Sequence, residues 1–154
     1  MGRIVYARSW ILRFPLPHTH VVGRESHNHL IGVTLIDDEG AEGHGFSFVV
    51  ENNGAAAVKT MLDDVVIPQV LGAQTHKGAA LWHDLTAATH RIARGVSSLA
   101  IGASDTALWD LNARKRGLSL ADHIGRIRGD IPAYASGQFS PNLPLEQVLE
   151  IAHR

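Results

Sequence analysis

Cysteine is absent from this 154-residue chain. That excludes disulfides, thiolate metal centres and a cysteine nucleophile. Charge of one sign is scarce too. Fourteen Lys and Arg against fifteen Asp and Glu leave a formal charge of −1, with no long run of either sign. Nucleic acids and anionic membranes are bound mainly through basic patches, so neither is an expected partner. No apolar run is long enough to span a bilayer, and the first residues lack the apolar core of a secretory signal, so the expected location is cytoplasmic. What remains is ordinary for a globular protein: 45% apolar residues and 19% charged. The length suffices for one domain with a core, or one domain and part of a second. Histidine is the type in excess, with ten copies.

The chain opens with strand signals. Residues 3–14 are rich in Ile, Val, Tyr, Trp and Phe and are closed by Pro15 and Pro17. After a polar stretch, residues 29–36 form a second strand, ended by the turn sequence Asp37-Asp38-Glu39-Gly40. A third strand covers 42–50, and the short separation makes the last two an antiparallel hairpin. Helices follow. Residues 55–66 carry Val58, Leu62, Val65 and Val66, with Pro68 as the stop. Residues 76–92 carry Leu81, Leu85, Ala88 and Ile92 as a stripe, with Thr75 as N-cap. A third helix spans 97–116. Ser97 and Ser98 cap it, Arg114-Lys115-Arg116 lie at the negative end of its dipole, and Gly117 stops it. Its small residues Ala100, Ala103, Ser104 and Ala107 permit close approach to a neighbour. A helical turn at 119–124 precedes Gly125. Residues 131–136 then read as a strand, with Pro132 near its start as a first or edge strand tolerates. Pro144 opens a last helix over 145–154. Strand followed by helix is the first unit of a parallel α/β architecture.

This order, with the stretch Ala100-Ile101-Gly102-Ala103-Ser104-Asp105-Thr106-Ala107-Leu108-Trp109-Asp110-Leu111, resembles the enolase superfamily in its mandelate racemase and muconate lactonizing branch. Arg114, Gly117-Leu118-Ser119-Leu120 and Gly125 extend the likeness, as do Gly43-His44-Gly45-Phe46, the segment Pro68, Leu71, Gly72, and Asp130-Ile131-Pro132-Ala133-Tyr134-Ala135-Ser136. The resemblance implies an α+β fold: a three-stranded antiparallel meander followed by a helical bundle as a capping (lid) domain over residues 1–126. Residues 127–154 would then be the first β/α unit of an incomplete (β/α) barrel. It implies proton abstraction next to a carboxylate, with Mg²⁺ stabilising the enediolate, as in racemases, acid-sugar dehydratases and cycloisomerases. In that family the metal ligands and acid/base residues lie on later barrel strands. A (β/α)₈ barrel takes about 200 residues or more, so no catalytic residue and no Mg²⁺ ligand is assigned here, and the isolated chain is expected to be inactive.

The family likeness does assign a substrate lid. The loop at residues 17–28 would close over the barrel mouth, with His18, His20, Val22 and Arg24 facing a small carboxylate or acid sugar. Phe48 and Val50 at the end of the third strand would form a second wall, and Ser136 would meet the substrate carboxylate. Lids of this kind exclude water and complete a site.

The histidines support a rival reading. His18-Thr19-His20 and His27-Asn28-His29 are two His-x-His pairs, and residues two apart in extended chain share a face suited to Zn²⁺. Solvated loop histidines are the plainer reading, and Arg24 is either a carboxylate partner or a solvated side chain. Trp82 and Trp109 are expected in the core, Asp105 and Asp110 as capping or interhelical groups, and His44 buried or hydrogen-bonded. Gly43-His44-Gly45 is no phosphate loop, because no helix follows it. Outside enzymes, the chain reads as a binding or self-assembling module or as the remnant of a truncated gene. A second copy of the chain is then a partner, through the strand at 131–136 and the apolar face of the last helix.

Overall fold

A computed structural model describes residues 2–15, 27–50, 54–92, 94–134 and 143–153. Three antiparallel strands, β1 (Ile4–Pro15), β2 (His27–Asp37) and β3 (Glu42–Val49), form one sheet in the order β1-β2-β3. Strand residues alternate between faces, and the register places Ser9 beside Val33 and Val33 beside Gly45. One face therefore carries Ala7, Ser9, Ile11, Ile31, Val33, Leu35, Gly43, Gly45, Ser47 and Val49. The helices cover it: Ile31, Val33 and Leu35 are fully buried with Val58, Leu62, Val66, Val70, Leu85, Leu108 and Leu111. Gly40 closes the β2–β3 turn with φ 82°, a conformation that suits glycine.

The longest helix, α4 (Arg94–Lys115), lies directly on β3. Gly43 and Gly45 make this approach geometrically feasible. A Cβ on Gly45 would lie 2.1 Å from the Ala103 carbonyl oxygen, and one on Gly43 2.3 Å from that of Ala107. The small-residue stripe thus meets a strand backbone. Two hydrogen bonds fasten the contact: Ser47 Oγ donates to the Leu99 carbonyl at 2.5 Å, and the His44 N–H to Asp110 Oδ2 at 2.9 Å. Gly117, at φ 64°, ends α4 in a Schellman motif, with its own N–H on the Arg114 carbonyl and that of Leu118 on the Ala113 carbonyl.

Several expectations change on contact with the structure. Pro68 does not end the first helix. α1 (Ala55–Met61) widens into a π turn over Leu62–Val66 and continues as α2 (Ile67–Val70), with Pro68 in the opening turn, where no intrahelical N–H is required. Thr75 is not the cap of α3 (Gly78–Ala88); Lys77 is, while Thr75 donates to the Gly2 carbonyl and ties the N-terminus down. Ile92 lies beyond α3 and is exposed. Ser97 is buried inside α4 rather than capping it, since the helix begins three residues earlier. Trp82 and Trp109 are about half exposed (49% and 43%), each lining a surface cleft between helices and connections. Trp109 instead meets His123 of α5 (Leu120–His123) edge-on at 5.7 Å. His44 is exposed but bonded, with Nδ1 3.2 Å from Thr34 Oγ1. Residues 131–134 form no strand among the described residues, and Ile131 and Tyr134 are exposed. The last helix, α6 (Leu145–Ala152), does form.

Candidate functional site

The two ends of the sheet differ in chemistry. At the β1–β2 end, pairing runs to Phe14 with Asn28 and Pro15 with His27, so both roots of the intervening loop are fixed by the ladder. Arg13 and His27 reinforce this closure, the guanidinium nitrogen lying 2.9 Å from Nδ1. Arginine only donates, so Nδ1 accepts and the ring proton sits on Nε2. Phe14 stacks on Phe48 with ring centroids 6.5 Å apart and an interplanar angle of 27°. Phe48 is 44% exposed and Val50 53%, so the wall faces outward and is open to a ligand or a covering segment.

Of the residues assigned from the sequence, Phe48 and Val50 stand together at this end. His18, His20, Val22, Arg24 and Ser136 lie outside the described residues. Phe14 was not among the assigned residues. Its signal was the alternation of β1, which puts it on the face of Leu12 and Trp10. As for the histidine-metal reading, His27 is engaged by Arg13, a cation that a metal would have to displace. Two clefts of about 360 and 380 Å³ are lined by helix and connection residues, Trp82 and Trp109 among them, and by no residue of the sheet.

At the opposite end, the β2–β3 turn holds Asp37, fully buried at its side chain. Burial alone would raise its carboxyl. The Lys115 ammonium at 2.6 Å and the N–H groups of Ala41 and Glu39 at 2.8 and 3.0 Å outweigh that and hold it below the usual carboxylate range. Lys115 also reaches Glu39 at 3.0 Å, and the Asp37 bond keeps its ammonium above the ordinary lysine value. A second network lies under β1. Ser9 Oγ donates to Asp63, and Lys59 Nζ reaches Ser9 at 2.8 Å and Asp63 at 2.6 Å. Burial opposes ionisation of Asp63, but Lys59 and Ser9 overcome it and lower its pKa. Lys59 Nζ is the donor in both contacts, so it fastens Ser9 and Asp63 together. Asp105 behaves oppositely: burial raises its pKa, and the Trp109 indole only partly offsets this.

A profile of the mandelate racemase/muconate lactonizing enzyme N-terminal domain matches residues 3–125. Among curated proteins, the chain is 35% identical over 136 residues to a 3,6-anhydro-alpha-L-galactonate cycloisomerase of Streptomyces coelicolor, covering 84% of this chain and 37% of that protein. It is 36% identical to a D-mannonate dehydratase of Rhizorhabdus wittichii over 69% of this chain and 26% of the other. A solved racemase from Streptomyces coelicolor with bound magnesium superposes with a TM-score of 0.67 at 33% identity, over 73% of this chain and 32% of its own. L-talarate dehydratase from Polaromonas sp. JS666, solved with Mg and L-glucarate, superposes with a TM-score of 0.87 at 26% identity, over 99% of this chain and 43% of its own. The chain thus spans between about a quarter and two fifths of these relatives. Magnesium is the ion of those two solved structures, but the described residues here do not suit it. Their one cluster of three potential ligands is Asp37, Asp38 and Glu39, and the Lys115 ammonium already occupies it. No helix among the described residues is long and apolar enough to cross a membrane. With the matched profile covering most of the chain and the meander-and-helix fold reproduced, the chain belongs to the mandelate racemase/muconate lactonizing enzyme family through its N-terminal capping domain.

Proposed function

We propose that this chain is the substrate-selecting cap of a Mg²⁺-dependent enzyme that abstracts the proton alpha to the carboxylate of an acid sugar. Residues 1–126 form the cap and 127–154 begin the barrel. One observation carries the assignment: the sheet end that roots the segment between Pro15 and His27 also carries the Phe14–Phe48 wall, while the buried ionic lock sits at the other end. A lid needs fixed roots and a wall open to substrate, and this end supplies both. The relatives' names, an anhydrogalactonate cycloisomerase and a mannonate dehydratase, support acid sugars as the class. His18, His20, Val22 and Arg24 supply polar and apolar contacts from the loop, Phe48 and Val50 the wall, and Ser136 a hydroxyl for the substrate carboxylate. Residues 127–149 fit the start of a barrel, for Ile127, Ile131, Tyr134, Leu145 and Leu149 are all exposed and would be buried by further β/α units. The metal and proton-transfer groups belong to such units, so the 154-residue chain alone turns nothing over.

A loop exchange tests the selection role. Residues 17–28 are transplanted into the corresponding loop of the Streptomyces coelicolor cycloisomerase, and kcat/KM is measured over a panel of acid sugars. The ratio between the best and second substrates should change at least about tenfold, the scale of a few altered pocket contacts, with Mg²⁺ affinity unchanged. An unaltered ratio in a folded, Mg²⁺-binding chimera would sink the assignment.

A further inference from the structure

The cleft of about 380 Å³ lies between the connection that enters α3, the last turns of α4, and α5. Arg116, on its rim, follows directly on Lys115 of the ionic lock, so the cleft is at the end of α4 away from the Phe14–Phe48 wall. His76, Ala79, Leu108, Trp109, Arg116 and His123 are among its walls. Those walls are held in place. Asn112 donates both amide protons, to the Thr75 carbonyl at 2.8 Å and the Leu108 carbonyl at 3.0 Å, which ties α4 to the connection before α3. Thr75 is in turn tied to the Gly2 carbonyl by its N–H and its hydroxyl. Three groups are left over. Trp109 has only the edge contact with His123 as an aromatic neighbour and stays 43% exposed. His123 Nδ1 is buried with no hydrogen-bond partner among the described residues. Buried polar atoms are nearly always paired, so an orphan marks a place where a bonding group is missing. A half-turn of the imidazole exchanges that nitrogen with a ring carbon and offers it to a ligand. The Arg116 guanidinium, finally, has no hydrogen bond or ion pair among the described residues.

Charge and shape name the ligand. No carboxylate among the described residues lines the cleft. The two carboxylates nearest in sequence are taken, Asp110 by Arg114 at 2.8 Å and Asp122 by Arg126 at 2.6 Å. The Arg116 charge is therefore open to an anion, and a planar guanidinium fork pairs best with a carboxylate, through two parallel hydrogen bonds. Trp109, with Leu108 and Ala79 beside it, adds flat apolar surface on which an aromatic ring gains by stacking. A cation would be repelled by Arg116. An open-chain acid sugar would leave the indole uncovered, so the cleft does not duplicate the substrate site. We propose that this cleft binds a planar aromatic carboxylate, with the ring against Trp109, the carboxylate on Arg116, and His76 and His123 as flanking hydrogen-bond donors. Its size is at the lower end of sites for small organic molecules and suits one or two rings. The inference does not rest on the cap's role in substrate selection.

Titration of the full 154-residue chain with 2-naphthoate tests it, followed by NMR at the indole N–H resonances of its three tryptophans. The Trp109 resonance should shift saturably, with a Kd of about 1 mM or tighter, the affinity expected of a ligand this small. Trp82, in the other cleft, and Trp10, on the sheet, should stay where they are. Arg116→Met changes an exposed side chain and should weaken binding at least about tenfold, the worth of a charge-assisted hydrogen-bonded pair. Trp109→Leu, read by calorimetry, should weaken it to a similar degree. The cation 2-naphthylmethylammonium should leave the Trp109 resonance unmoved. The proposal is overturned if Trp109 does not respond up to about 10 mM naphthoate, ten times that Kd. It is equally overturned if Trp82 shifts in place of Trp109, if Arg116→Met binds as the unaltered chain does, or if the cation binds as well as the carboxylate.

Discussion

At the turn end of the sheet a buried carboxylate is held by an ammonium and two backbone N–H groups, whereas at the loop end two exposed phenylalanines face each other across β2. Both ends carry residues that deviate from a plain meander, yet they do different work. The turn end fixes α4 to the sheet through residues 78 positions apart, Asp37 and Lys115, and the Lys115 ammonium sits among its carboxylates. At the loop end the rings leave apolar surface uncovered, and the Arg13–His27 bond is exposed to solvent. The proposed function thus puts recognition at the loop end and rigidity at the turn end, as expected when binding loops are carried on a rigid scaffold.

Breaking the rigid end should have the largest effect. Lys115→Met leaves Asp37 buried without its cation and should destabilise the fold by about 3 kcal/mol or more, read by urea denaturation. Asp37→Asn should do less harm, because Lys115 keeps Glu39 and no buried charge is stranded. Gly45→Ala comes next, at about 1–3 kcal/mol, because the added methyl collides with the Ala103 carbonyl and α4 must lift off β3; thermal melting would register it. Acidity sharpens the contrast further. The folded-state pKa values of Asp37 and Asp63 are lowered, so the stability they contribute is present above about pH 4 and is lost as pH falls through their folded values. Lys115 is raised, so its share persists below about pH 10.4 and fades only as pH climbs past its folded value. In Lys115→Met the acid-side loss should shrink, since Asp37 no longer has its cation. Phe48→Ala should have the smallest effect on stability, about 1 kcal/mol or less for a half-exposed stacked ring. A loss of several kcal/mol there would mean the loop end is structural after all.

The meander, its hairpin turn and the helix order were legible in the sequence because alternation, Asp-Asp-Glu-Gly and small-residue spacing are local signals. The glycines of Gly43-His44-Gly45 were visible, but their purpose was not. It depends on where Ala103 and Ala107 come to rest, sixty residues on in the chain. Lys115 read as a dipole partner at the end of α4. Its specific bond to Asp37 is set by tertiary geometry that no local pattern encodes. Pro68 misled for a related reason: a π turn restarts the helix just before it, and the residue then needs no N–H partner. Trp109 is expected in the core as a helical aromatic and Trp82 as a neighbour of an apolar stripe, yet both are about half exposed, and on α4 it is the small residues that meet β3. Phe48 and Val50 were reached through family likeness, and Phe14 entered only once the ladder showed which strand it faced.

The most direct test of a cap that selects substrate but holds no catalytic metal is an activity assay of the pure 154-residue chain. It is incubated with Mg²⁺ and a panel of acid sugars, with proton exchange into D₂O and product formation followed by NMR. The account predicts neither exchange nor product at any Mg²⁺ concentration. Mg²⁺-dependent exchange next to the carboxylate, lost in Asp37→Asn, would contradict it, because the turn cluster would then be a metal site rather than a lock.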